Sequence, residues 1–271
     1  MIDFLNIFGL FRVLMLEPRW IRSFYINGGL KVPELWRISR KHFRVETAGG
    51  RFLKLNRFRS RLNMEELKEL CATSSPIHVY FSVLDWLFPE RVGKKCKAKY
   101  AVPVGGEYVD SYVFKHPHRH VRVGSSGVCY ECLQISRALT VQACEAIEEY
   151  YSDVAIVFSG RRGFHIHVLD FNVHDWTTYN ERNPIKSHEA ARFKFSKTID
   201  LETYVFDRHH FILSVDPMRV ISVPNSLNAE TGLKCLYIGD RKDLENMTIN
   251  SLLYHRIQPW KFTVTLSPPG L

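Results

Sequence analysis

The chain has 271 residues, 45% of them hydrophobic and 24% charged, with 37 Lys and Arg against 28 Asp and Glu for a formal charge of +9. That apolar share supports a sizeable core and excludes a globally disordered chain, and the length suits one large domain or a domain with a small insert. The basic excess favours an anionic partner: nucleic acid, nucleotide or a membrane surface.

Residues 1–16, M-I-D-F-L-N-I-F-G-L-F-R-V-L-M-L, are apolar but carry Asp3 and Arg12 and lack a small-residue cleavage site. They are too short and too charged for a spanning helix and make a poor signal peptide, so they read as an amphipathic segment docked on the core or an upstream extension. Residues 17–271 read as one domain, with no stretch apolar enough to cross a membrane. Pro33, just inside the period Leu35, Trp36, Ile38, marks a helix start. Ala48-Gly49-Gly50 is a turn. Residues 51–62 alternate like an edge strand with arginines on one face, M-E-E-L-K-E-L-C is a short helix, and P-I-H-V-Y-F-S-V-L is a strongly apolar strand. The stretch K-Y-A-V-P-V-G-G-E-Y-V-D-S-Y-V-F reads as a strand ending near Asp110. A His/Cys cluster fills 116–132, and 133–151 has helical spacing.

Residues 154–170, V-A-I-V-F-S-G-R-R-G-F-H-I-H-V-L-D, are two apolar runs around a glycine-flanked turn, a strand–turn–strand. Residues 171–210 read as loops plus a helix carrying H-E-A-A-R-F-K-F. A strand ending at Asp216, a turn or helix begun by Pro217, a turn at Pro224-Asn225 and a final strand through L-K-C-L-Y-I complete the domain. Strands and helices mix without regular βαβ alternation, so the fold class is α+β.

Three groups carry chemistry. Ser159, Gly160, Arg161, Arg162, Gly163 and His165 crowd a hydroxyl, two guanidinium groups, backbone amides and an imidazole into one turn, which suits a polyphosphate. A solvated basic turn is the plainer alternative. His118-x-His120, then eight residues, then Cys129-x-x-Cys132 offers two nitrogen and two sulfur ligands for a structural, tetrahedral Zn²⁺, and His116 could replace either histidine. Asp110 and Asp216, each at an expected strand end, could hold Mg²⁺ or Mn²⁺, and divalent metal with arginine-held triphosphate suits nucleotidyl transfer. Six cysteines at 71, 96, 129, 132, 144 and 235 are too sparse for a disulfide scaffold, so a reducing, cytoplasmic setting is expected.

S-G-R-R-G-F-H-I-H-V, followed about fifty residues later by D-P-M-R-V-I-S-V-P-N-S-L-N-A-E-T-G-L, resembles the archaeal/eukaryotic-type DNA primase small (catalytic) subunit family. That family has a D-x-D strand end, an S-G-R-x-G-x-H turn and a D-x-x-R…P-x-S-L…T-G-L segment, with a Cys/His zinc knuckle between the first two. F-Y-I-N-G-G, R-F-R-S-R-L-N-M-E-E-L and P-I-H-V-Y-F-S-V-L resemble its opening region, and the resemblance spans roughly residues 20–240. It implies a primase-type α+β catalytic domain of mixed sheets with flanking helices and a small zinc knuckle at about 116–132. It implies synthesis of short RNA primers from nucleoside triphosphates on single-stranded DNA, by metal-dependent nucleotidyl transfer, in a heterodimer with a primase large subunit. By position, Ser159, Arg161, Arg162, His165 and Arg219 would bind the nucleotide, Asp110 and Asp216 would be the catalytic, Mg²⁺- or Mn²⁺-binding carboxylates, and His118, His120, Cys129 and Cys132 would hold Zn²⁺.

The chain also departs from the family. G-G-E-Y-V-D-S-Y-V-F has Asp110 alone: either it is one member of the D-x-D pair, or Glu107 and Asp110 replace the pair. Asn228 stands where the family commonly has His, Ser222 where it often has Arg, and His118 where Cys is usual. Two further readings follow, a degenerate primase-fold protein that binds nucleotide or single-stranded DNA without polymerising, and a zinc-dependent hydrolase using His165, His167 and the acidic residues.

Overall fold

The computed structural model describes residues 16–55, 61–92, 101–113, 128–199 and 214–254. Strands and helices mix as an α+β arrangement. The helix α1 (Pro18–Ile26) begins with proline at its first position, where the missing N–H costs nothing, and buries Ile21, Phe24 and Tyr25. Two short 3₁₀ turns, Glu34–Trp36 and Ile38–Arg40, replace the helix expected after Pro33. The break is Arg37, whose left-handed backbone (φ 31°) interrupts the helical run as Trp36 turns into the interior.

Strands β1 (Phe43–Glu46), β2 (Phe52–Lys54), β3 (His78–Ser82) and, later, β9 (Val220–Ser222) form one antiparallel sheet in the order β2-β1-β3-β9. The expected edge strand at 51–62 is the short β2; Arg57 and Arg59 lie outside the described residues. Helix α2 (Met64–Ser74) follows, started by a capping box in which Asn63 and Glu66 satisfy each other's backbone amides. The strand expected to end near Asp110 is divided in two. Strand β5 (Pro103–Gly106) pairs with β4 (Leu84–Trp86), and β6 (Tyr108–Val113) joins a second sheet, so Asp110 sits within a strand. Gly105 and Gly106 make the division: both have positive φ, and a Cβ on Gly106 would lie 2.8 Å from the Leu84 Cα.

The second sheet holds the expected strand–turn–strand at its centre. Helix α3 (Tyr130–Glu148) leads into β7 (Val154–Phe158) and β8 (Gly163–Val168), and β12 (Tyr237–Gly239) completes the order β12-β7-β8-β6. Every residue of β8 is buried because both faces are covered. One face, with Val109, Ala155 and Val157, meets Phe43, Val45, Val79 and Phe81 of the first sheet. The other, with Tyr108, Ile156, Phe158, Phe164 and Ile166, packs on α3, on α4 (Pro184–Thr198) and, after the short pair β10 (Leu227–Asn228) and β11 (Leu233–Lys234), on α5 (Arg241–Asn246) and α6 (Ile249–Tyr254). This is why Val154–Phe158 is apolar without alternation. Asp216 follows a helical turn at Ser214 and Val215; residues 200–213, where the preceding strand was expected, lie outside the described residues. So do residues 1–15 and the tail. Among the described residues no helix is long and apolar enough to cross a membrane.

A buried ionic cluster joins the layers. Glu107, immediately before β6, accepts from Lys41 Nζ at 3.0 Å and Trp36 Nε1 at 3.0 Å, and its other contact, to His167 Nδ1, is 2.6 Å. Lys41 also reaches Asp85 at 3.0 Å. Burial alone would raise the Glu107 pKa, but the charges of Lys41 and His167 overcome it and draw the carboxyl from 4.5 down to about 2. A depressed folded-state pKa gives stability that is present above pH 4.5 and lost as the pH falls toward 2, on the order of 3 kcal/mol for such a shift. In acid titrations followed by urea unfolding, Glu107→Gln should be less stable at pH 7 and show a shallower loss between those values. An unchanged acid slope would rule out Glu107 as its source.

Candidate nucleotide-binding site

The β7–β8 turn is locked from within and from behind. The Ser159 amide donates to the Gly163 carbonyl at 2.8 Å, and the Ser159 hydroxyl accepts the amides of Arg162 and Gly163, both at 3.3 Å. Two amides that the sequence suggested for phosphate are therefore used inside the turn. Gly160 has φ +77°, and a Cβ there would lie 2.9 Å from the Asn228 Cβ and 3.3 Å from the Lys234 carbonyl. Thr231 Oγ1 donates to the Gly160 carbonyl at 2.7 Å, and Cys235 Sγ to the Ser159 carbonyl at 3.4 Å. Thus S-G-R-R-G and S-L-N-A-E-T-G-L, far apart in sequence, form one unit, with Gly160 fitting only as glycine.

The two arginines of the turn differ. Arg161 is ion-paired with Glu230, whose carboxylate also lies 3.9 Å from His78 Nε2. Arg162 is exposed, and its guanidinium has no hydrogen-bond or ion-pair partner among the described residues. Glu230 was not singled out from the sequence; its position inside A-E-T-G-L was the only available signal.

The antiparallel register of β6 and β8 decides which side chains share a face. Val109 is opposite His167 and Ser111 is opposite His165; Tyr108 is opposite Val168 and Asp110 is opposite Ile166. Directly opposed residues point to the same side of a sheet. His165, His167, Val109 and the buried Ser111 therefore face the first sheet, whereas Asp110 lies on the α3 side with Tyr108, whose hydroxyl contacts Asp110 Oδ2 at 3.4 Å. Asp110 Oδ1 accepts from Ser214 Oγ at 2.8 Å and from the Ser111 amide at 2.7 Å. Glu107 lies apart from Asp110, held by Lys41 and His167.

Asp216 is exposed, and its Oδ1 accepts the Met218 amide at 2.8 Å, an Asx-type turn. Arg219 closes that turn with its amide on the Asp216 carbonyl at 3.3 Å, and its Nη2 donates to Ser111 Oγ at 2.6 Å. Burial lowers the Arg219 pKa, opposed by Asp110, Tyr108 and Asp216 in that order. The structure thus links Asp110 to Ser111 and Ser214, and Arg219 to Ser111 and to the Asp216 turn, with no ion pair between the Arg219 guanidinium and either carboxylate among the described residues. Among the described residues these carboxylates do not form part of a metal-holding group. Asp110 is turned to the α3 face of the sheet, and Asp216 caps its own turn.

At the start of α3, Cys129 caps the helix and Cys132 is buried; burial, with a hydrogen bond to Cys129, pushes the Cys132 thiol up to about 11. His116, His118 and His120 lie outside the described residues. Among the described residues no group of three or more His, Cys, Asp and Glu side chains is placed to hold a metal ion.

No protein-family model matches the chain. Among curated proteins it is 24% identical over 264 residues to the DNA primase small subunit PriS of Pyrobaculum calidifontis, covering 85% of this chain and 80% of the relative. It is 24% identical over 259 residues to that of Pyrobaculum arsenaticum, with the same coverage, and 23% identical over 256 residues to that of Pyrobaculum aerophilum, covering 83% and 78%. Among solved structures, the polymerase domain of Mycobacterium tuberculosis ligase D in complex with DNA matches with a TM-score of 0.45 and 10% identity over 88% of this chain and 86% of that one. Over most of its length the chain is thus similar to the archaeal/eukaryotic-type DNA primase small subunits.

Proposed function

We propose that this chain serves as a primase-type small subunit that binds nucleoside triphosphate and single-stranded DNA, in the cytoplasm and in a heterodimer with a primase large subunit, without polymerising. The similarity to small subunits over most of the chain supports the family role, and the +9 charge suits a phosphate-rich partner. Arg162, exposed on the locked β7–β8 turn, is the group best placed to meet a triphosphate. The alternative is primer synthesis by metal-dependent nucleotidyl transfer, with Asp110 and Asp216 as catalytic carboxylates. One observation favours the first reading: the residue of β6 that shares a face with His165 is Ser111, and Asp110 faces the other way. The hydrolase reading loses its site, because His167 is fully buried against Glu107.

The chain, alone and with a large subunit, should yield no primers from single-stranded DNA, Mn²⁺ and labelled nucleotides, while a labelled triphosphate binds. Primer formation that depends on Asp110 would overturn the binding-only role. Arg162→Ala should weaken triphosphate binding roughly 10- to 100-fold, as expected for one charge-assisted contact of about 1.5–3 kcal/mol; undiminished affinity would remove the turn from the site. DNA affinity should fall steeply between 50 and 200 mM salt, as phosphate contacts release counterions (about 10³-fold or more for six or more contacts).

The zinc knuckle of His118, His120, Cys129 and Cys132 is part of the same proposal. Elemental analysis should find about one zinc per chain, lost in the double variant Cys129→Ser, Cys132→Ser. Folded, zinc-free wild-type protein would dispose of the knuckle.

A further inference from the structure

The anion that meets the basic turn in this structure belongs to the protein itself. Glu230 forms an ion pair with Nη1 of Arg161, the first arginine of S-G-R-R-G. Surface ion pairs between long side chains are usually worth little, because both chains must be ordered to make them. Here both carriers are rigid. The turn is locked through Ser159, and the loop that bears Glu230 is held on either side of it. The Ala229 amide donates to the Ile77 carbonyl at 2.9 Å, the Glu230 amide to Asn228 Oδ1 at 3.2 Å and the Gly232 amide to the Asn228 carbonyl at 2.9 Å. Ala229 and Thr231 are buried, and Thr231 Oγ1 ties the loop to the Gly160 carbonyl, next to Arg161, at 2.7 Å. The carboxylate is thereby delivered to the turn at a fixed place. The pair is still open to solvent, with the Arg161 and Glu230 side chains 35% and 31% exposed. A guanidinium offers carboxylate and phosphate the same planar fork of donors, so one excludes the other from those N–H groups. His78 Nε2 lies 3.9 Å from the same carboxylate, but burial holds the His78 pKa below its ordinary 6.5, so a neutral ring leaves Glu230 to Arg161 at pH 7.

We propose that Glu230 is an internal competitor at the nucleotide-binding turn: its carboxylate holds Arg161 in place of a phosphate group, leaves Arg162 to meet the triphosphate, and so lowers the affinity of this chain for nucleoside triphosphate. The proposal rests on the nucleotide-binding reading above. It differs in what it requires: a residue that acts through Arg161 and whose loss strengthens binding.

The test is titration of a non-hydrolysable, fluorescent nucleoside triphosphate into the full chain and its variants at one salt concentration. Glu230→Gln keeps the shape of the side chain and removes its charge. It should bind on the order of tenfold more tightly, the size of one charge-assisted contact regained at Arg161. Glu230→Ala repeats the arm without a side-chain amide to hold the guanidinium, and urea unfolding of each variant verifies that it is folded. Glu149→Gln is the control for net charge. It ends α3, about 20 Å along the helix, at roughly 1.5 Å per residue, from Ser136, whose hydroxyl meets the Arg162 carbonyl at 3.3 Å. At that separation its charge is screened, so affinity should change by less than about threefold. Combining Glu230→Gln with Arg161→Gln should abolish the gain and return affinity to within about threefold of wild type, because the two residues act as one unit. Unchanged or weaker binding in both folded Glu230 variants, an equal gain in Glu149→Gln, or a gain that persists without Arg161 would overturn the proposal while leaving nucleotide binding intact. No binding by the wild-type chain or by any variant would overturn the nucleotide-binding reading and the proposal with it.

Discussion

The Glu107 carboxylate, buried among Lys41, His167 and Trp36, is the contact on which the arrangement of the layers depends. Lys41 precedes the first sheet, His167 lies in the centre of the second, and Trp36 belongs to the 3₁₀ turns between α1 and β1. The neighbouring Trp36 and Lys41 and the distant His167 therefore converge on two oxygens. A charge removed from water is tolerated only when it is paired and hydrogen-bonded, and Glu107 meets that condition with a lysine, an imidazole and an indole. Arg192 adds a hydrogen bond to the Glu107 carbonyl, tying α4 to the same point. Removal of Lys41 would leave the Glu107 carboxylate buried without its lysine partner, so the cluster fixes how the sheets face each other.

That fixed geometry has a consequence for the site. With Glu107 and His167 committed to one face, the alternation of β6 places Ser111 on that face and Asp110 on the other. The side chains able to meet an anion are arginines held in different ways: Arg161 balanced by Glu230, Arg162 exposed, and Arg219 fastened to Ser111. The turn that carries the first two is rigid because Ser159, Thr231, Cys235 and the tight fit at Gly160 define it. Rigid placement of guanidinium groups suits recognition of phosphate, since little ordering remains to be done on binding.

Much of this was legible from residue order. The strand–turn–strand at 154–168, the helices at 64–74 and 130–148, the helix carrying H-E-A-A-R-F-K-F and the mixed α+β character all follow from apolar periodicity and turn residues. The helix expected after Pro33 did not form, because Trp36 and Lys41 are drawn toward Glu107 and Arg37 takes the left-handed conformation that this needs. The strand expected to run to Asp110 is split at Gly105-Gly106, where close approach to Leu84 admits no side chain.

By itself the sequence determined the family resemblance, the basic turn and the pairing of S-G-R-R-G with S-L-N-A-E-T-G-L as parts of one site, because those motifs carry their meaning in local order and spacing. Tertiary structure alone decided where the carboxylates lie. Which face Asp110 occupies depends on the register between β6 and β8, and a shift of one residue would exchange Asp110 for Ser111 beside His165. Whether Arg161 is free depends on Glu230, which is distant in sequence. Long-range register and charge pairing arise only when the strands meet, so the presence of an aspartate could be read from the chain but its direction could not.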